Sequence, residues 1–140
     1  MSFDAGYSKT PLHRKLGCRP ERPIFLLAPP DGFAAYLREH GFEVLVVDDV
    51  GDVPQGVGHV HLFGTEAAAV TAAMRALSDR VARDGQVWLS WPKKASKLPC
   101  DIDKGLLHRK GAFGDFVDVK VCAVDATWSA LKYVIRKDRR

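Results

Sequence analysis

The sequence predicts an open, mostly parallel α/β sheet, and three observations carry that expectation. Apolar runs of strand length alternate with segments of helical periodicity along most of the chain. The first run, Ile24-Phe25-Leu26-Leu27-Ala28, is apolar at every position, as a strand covered on both faces must be. The last two runs are separated only by Asp125-Ala126-Thr127-Trp128-Ser129, a link short enough to pair them antiparallel.

In order, the elements read as follows. Thr10-Pro11-Leu12-His13-Arg14-Lys15-Leu16-Gly17 is a short helix, with Thr10 as N-cap, Pro11 at the first helical position and Gly17 as a left-handed exit. With the residues before it, it forms an N-terminal arm over 1–22, followed by an α/β core over 23–140. Strand one is 24–28, and Pro29-Pro30-Asp31-Gly32 turns the chain into a helix over 33–40. Strand two is 42–47 and closes on Asp48-Asp49; 50–58 is a loop. Strand three is 60–63. Thr65 is placed to cap an alanine-rich helix running to about Arg83. Asp84-Gly85 turns into strand four, 86–91. A helix is expected within 101–110, then the hairpin strands 116–124 and 131–136. The crossover rule makes the first four strands parallel with helices on both faces, a Rossmann-like sheet of about six strands.

Composition narrows the class. At 140 residues the chain has the length of one domain, 1–140. No apolar run reaches the roughly 18 to 20 residues that span a bilayer, and the N-terminus lacks a basic region followed by an apolar one. A cytoplasmic protein without a membrane role is the expectation. Cys18, Cys100 and Cys122 are odd in number and widely spaced, so they form neither a disulfide framework nor a zinc pattern. A net charge of +4, part of it in the tail 136–140, is weak support for nucleic-acid binding, which is not expected. His59 and His61 share one side of strand three without a third ligand nearby, so no metal site is expected.

Two stretches carry candidate chemistry. The densest is Gln86 to Lys97, a strand broken at Trp91-Pro92 that presents Lys93, Lys94 and Lys97 around Ser96. Open α/β sheets bind ligands beyond the carboxyl ends of their strands. Paired ammonium groups beside a hydroxyl suit an anion or a phosphorylated ligand; the alternative is a loop of solvated lysines. The second is the pair Asp48 and Asp49 at the end of strand two. They lie about 20 residues after the first turn, where such folds receive ribose hydroxyls, though two aspartates can also simply open a polar loop. With Trp91 they are the ligand-pocket candidates. The first turn points away from phosphate. Pro29 and Pro30 remove two amide donors, and Asp31 adds a negative charge. Neither S-adenosylmethionine nor a nicotinamide dinucleotide is therefore expected to bind well, and no cofactor is assigned.

Several stretches carry a resemblance: Tyr7-Ser8-Lys9-Thr10-Pro11-Leu12, Lys15-Leu16-Gly17, Ala28-Pro29-Pro30, His61-Leu62-Phe63, Trp88-Leu89-Ser90-Trp91-Pro92-Lys93-Lys94-Ala95-Ser96, the run 117–125 and Thr127-Trp128-Ser129. Together they resemble a bacterial family known as a domain of unknown function. The element pattern is similar to the Rossmann-like fold of S-adenosylmethionine-dependent methyltransferases. The resemblance implies a single-domain cytoplasmic protein, with no established activity and no catalytic residues to carry over. The expected function is a non-catalytic binding or regulatory module on a methyltransferase-like scaffold, with an anion-binding strand end. The alternative is a small divergent transferase acting on an anionic or nucleotide-like substrate. A third class is a subunit that binds a protein partner through the hairpin edge.

Overall fold

The computed structural model describes Phe3 and residues 9–140. Its element order is α1 (Leu12–Lys15), β1 (Ile24–Leu27), α2 (Phe33–Glu39), β2 (Val44–Val47), β3 (Val57–Phe63), α3 (Ala67–Ser78), β4 (Val81–Pro92), α4 (Lys104–Leu107), β5 (Phe116–Ala123) and β6 (Trp128–Ile135). Short 3-10 turns lie at Val50–Asp52, Lys94–Ser96 and Lys137–Arg139. The six strands form one sheet in the order β2-β1-β3-β4-β6-β5. β1, β2, β3 and β4 are parallel neighbours, while β6 runs antiparallel to both β4 and β5. The predicted α/β sheet with its C-terminal hairpin is the one observed.

The period-two alternation of the strands sorts their side chains into two cores. Phe25, Leu27, Val60, Leu62, Val87 and Leu89 face α3 and α4, where Met74, Leu77 and Leu107 are buried. Ile24, Leu26, Phe63 and Trp88 face α1 and α2 and pack on Leu12, Leu16, Phe33 and Leu37. Helices thus cover both faces, which is why β1 is buried at all four positions.

Several boundaries differ from the sequence reading, each for a non-local reason. Pro11 is the N-cap of α1 rather than its first helical residue, while Gly17 does leave the helix with φ +68°. α3 ends at Ser78, short of Arg83, because Val81 already pairs with Val57. Asp84 and Gly85 accordingly lie inside β4 and are not a turn before it. A side chain at Gly85 would press on the carbonyls of Ala82 and Val57, so only glycine fits that close approach. The first residue of α3 is not served by Thr65: its amide, that of Ala67, donates to the Asp101 carboxylate 34 residues away. Asp101 is thereby drawn out of the helix expected over 101–110, which shrinks to α4 with Asp103 accepting from the Leu106 amide at 2.8 Å. In β5 the register passes from Asp118↔Tyr133 to Lys120↔Lys132, leaving Val119 as an extra residue in a bulge.

Candidate functional site

The carboxyl ends of β1, β2 and β3 enclose a cavity of about 310 Å³. Apolar residues from both neighbouring layers make its floor, among them Leu27, Leu62 and Val70. Its polar rim is supplied by Asp48, Asp49, Thr65 and Glu66. No cationic side chain lines it among the described residues, so three carboxylates set its potential. Crowded acids repel phosphate and attract hydroxyl donors or cations.

The local sequence explains each wall. β2 stops at Val47, and Asp49 then accepts from the Gly51 amide at 2.8 Å, winding the chain into the 3-10 turn. That bond occupies one oxygen of Asp49 and fixes the direction of the rim. Asp48 is exposed at the cavity mouth. On the β1 side Ala28 adopts φ +54°, a left-handed conformation that costs a residue with a Cβ roughly 1–2 kcal/mol. Pro29 and Pro30 follow it, and Gly32 at φ +85° starts α2. Opposite, Gly64 donates its amide to the Ser90 carbonyl at 3.0 Å, and a Cβ there would collide with Val70 Cγ2. The backbone of β3 therefore hugs α3 at the cavity wall.

The sequence-predicted residues divide into two groups. Asp48 and Asp49 are brought together at the cavity. Trp91, Lys93, Lys94, Ser96 and Lys97 are not among its lining residues. Lys93 reaches sideways instead: its Nζ donates to the Asp125 carbonyl at 2.7 Å and its amide to the Thr127 carbonyl at 2.8 Å. Asp125 in turn shapes the hairpin turn, its Oδ1 accepting from the amides of Thr127 and Trp128, both at 2.8 Å. The hydroxyl of Ser96 donates to the Lys93 carbonyl at 2.6 Å. Lys97 sits at φ +62°, and Lys94 and Lys97 are exposed. The turn is thus braced against the β5–β6 connection. Glu66, Thr65 and Gly64 are the cavity residues that the sequence reading missed. The Gly-Thr-Glu run directly after strand three was the available signal, since a ligand beyond one strand end touches its neighbours as well.

Outside the cavity, the buried polar groups are structural. His61 Nε2 lies 2.6 Å from Ser90 Oγ, and the ring stacks on Phe63 at 4.4 Å. Burial, reinforced by the neighbouring His59, holds His61 well below the ordinary histidine range. His59, bonded at 3.2 Å to the Gln86 amide, is lowered to about 3 by burial and, less, by Arg22 and Lys132. Both are inaccessible, at 1% exposure, and cannot serve a substrate. Burial pushes Cys18 up to about 12, which removes it as a thiolate nucleophile. Among the described residues no group of three or more His, Cys, Asp or Glu side chains could hold a metal ion. None of their helices is long and apolar enough to cross a membrane.

The sequence matches no protein-family model and no curated protein. Solved structures do match it in shape. One is the Burkholderia thailandensis 1,6-didemethyltoxoflavin-N1-methyltransferase with bound 1,6-didemethyltoxoflavin and S-adenosylhomocysteine, at 16% identity and TM-score 0.60, covering 90% of this chain and 75% of that one. A TehB-like SAM-dependent methyltransferase from Corynebacterium glutamicum matches at 7% identity and TM-score 0.56, with 88% and 85% covered. The antibiotic-resistance methyltransferase Kmr matches at 16% identity and TM-score 0.53, with 94% of each chain covered. The chain has a methyltransferase-like Rossmann fold. At such identities the likeness establishes the fold and leaves the chemistry to the site.

Proposed function

We propose that this protein is a small-molecule binding module on a methyltransferase-like scaffold, with its site at the ends of β1, β2 and β3. The ligand is a hydroxyl-bearing molecule of nucleoside size, neutral or cationic. The observation that supports this most is the acidic rim of Asp48, Asp49 and Glu66 over an apolar floor. A volume of about 310 Å³ is at the low end for ligand cavities, which run from roughly 300 to 1,000 Å³. That is too little for a dinucleotide, and the carboxylates oppose a pyrophosphate. Asp48 would accept from vicinal hydroxyls, as acidic residues ending the second strand of such sheets do.

Calorimetry with adenosine, S-adenosylmethionine, ATP and NAD tests the reading. The expected order places adenosine ahead of ATP and NAD, with Asp48→Asn weakening adenosine at least tenfold while the fold is retained. Micromolar or tighter binding of ATP or NAD, or an Asp48→Asn variant indistinguishable from wild type, would overturn it.

The second reading is a divergent transferase, favoured by the position of the cavity at the strand ends of this fold. It predicts transfer of a labelled methyl group from S-adenosylmethionine to an acceptor, with the activity lost in Asp48→Asn. The binding-module reading predicts binding without turnover. The lysine turn at Lys93, Lys94, Ser96 and Lys97 enters neither reading as a ligand contact.

A further inference from the structure

Lys120 on β5 and Lys132 on β6 are register partners, directly opposite one another on the face that carries α1. Opposed residues of an antiparallel pair have Cβ atoms about 4.5–5.5 Å apart, and like charges at that spacing are destabilising. A carboxylate at either position would have given an ion pair. The sheet holds two ammonium groups there instead.

The surroundings add to the imbalance. Lys132 is half-buried between Trp88, its partner on β4, and Lys120. Burial lowers its pKa, and the positive charges of Lys120 and Arg19 lower it further. Two positions along, Cys122 feels Lys15 and Lys120, again both positive. Lys15 ends α1 and Arg19 follows it, so positive charge from three separate stretches of chain acts on this part of the sheet around the opposed Lys120 and Lys132. Arg22, the next arginine along, already donates to the Asp84 carboxylate at 2.9 Å and is excluded from the group.

We propose that Lys15, Arg19, Lys120 and Lys132 form a binding site for a phosphate group on the α1 face of the hairpin. A dianion seated there converts the repulsion between opposed lysines into charge-assisted hydrogen bonds, with the half-buried Lys132 as its floor. The group can come from a free phosphorylated molecule or from a nucleic-acid backbone, because both present the same oxygens. The site is separate from the acidic strand-end cavity and does not depend on it.

Pyrophosphate and a single-stranded oligonucleotide are the probes, each compared with sodium chloride at equal ionic strength. Pyrophosphate should raise the melting temperature of the wild type by several degrees beyond chloride. Lys120→Gln/Lys132→Gln should melt at or above the wild-type temperature without ligand and lose that excess. Lys120→Arg/Lys132→Arg should keep it, as should the control Lys94→Gln/Lys97→Gln. Oligonucleotide binding lost in the Gln variant identifies a backbone as the source; a response to pyrophosphate alone identifies a free phosphorylated molecule. Equal responses in wild type and the Lys120→Gln/Lys132→Gln variant, no response to either probe, or loss of response in the control would overturn the proposal.

Discussion

Trp88 Nε1 donates to the Leu16 carbonyl at 2.9 Å, joining the centre of β4 to the end of α1 across 72 positions of sequence. The indole is fully buried, so the bond has no water to replace it. Trp88→Phe keeps most of the packing and leaves the Leu16 carbonyl without its donor. The expected loss is about 1–3 kcal/mol in urea unfolding, with amide exchange over residues 12–18 accelerating more than in β1. Unchanged exchange in that segment would show that α1 is held by its other contacts, the apolar packing together with the bonds from the His13 amide to Tyr36 and from Gln86 to the Gly17 carbonyl.

His59 and His61 make folding sensitive to acid. Both are neutral in the fold, with pKa values below the ordinary 6.5, whereas the unfolded chain protonates them near 6.5. Below that pH the unfolded state binds more protons, so stability falls as pH falls. Each histidine contributes a slope of up to about 1.4 kcal/mol per pH unit until its folded value is reached. Urea midpoints should be level between about pH 7 and 8 and drop steeply between about 6.5 and 5, ahead of ordinary carboxylate titration. A flat profile across that window would contradict the buried neutral assignment.

Lys93 and Lys94 should part company on mutation despite being neighbours. Lys93→Ala removes the charged bond to the Asp125 carbonyl and should cost about 1.5 kcal/mol, the lower bound for such bonds. Lys94→Ala changes an exposed side chain and should stay within about 0.5 kcal/mol. Denaturant titration of the two variants separates a braced turn from a solvated loop, in which both changes would be silent.

Gly64→Ala drives a methyl into Val70, which is 3% exposed and packed in the core beneath α3. Overpacking of this kind costs roughly 1–3 kcal/mol. Adding Val70→Ala should recover part of that loss, because the two changes share one volume. Strict additivity in the double-mutant cycle would place the strain elsewhere.

Much of the architecture was legible because it is written locally. The uniform apolarity of Ile24 to Leu27 and the short turn at Asp125 are properties of neighbours in sequence, and they survive in the fold. What was not legible depends on partners far along the chain. Val57 recruits Val81 into β4, and Asp101 leaves its own helix to serve Ala67. The same holds for the candidate site. Asp48 and Asp49 could be found from their spacing to the first turn, but Glu66 joins them only through the parallel order of β1, β2 and β3. The lysine-rich turn drew attention by composition, yet Lys93 is directed by a carbonyl 32 residues away. Lys120 and Lys132 are brought face to face only by the register of β5 against β6.

The bulge at Val119 has a consequence for self-association. β5 is an outer strand of the sheet, and Val119 and Val121 lie on it at 53% and 63% exposure. A regular strand so apolar would offer a template to any extended chain that met it. The extra residue interrupts the β5–β6 ladder at mid-strand, and bulges of this kind are one of the ways natural sheets blunt an outer edge against further pairing. The two exposed valines thus lie on an edge whose regular pairing is already broken at mid-strand.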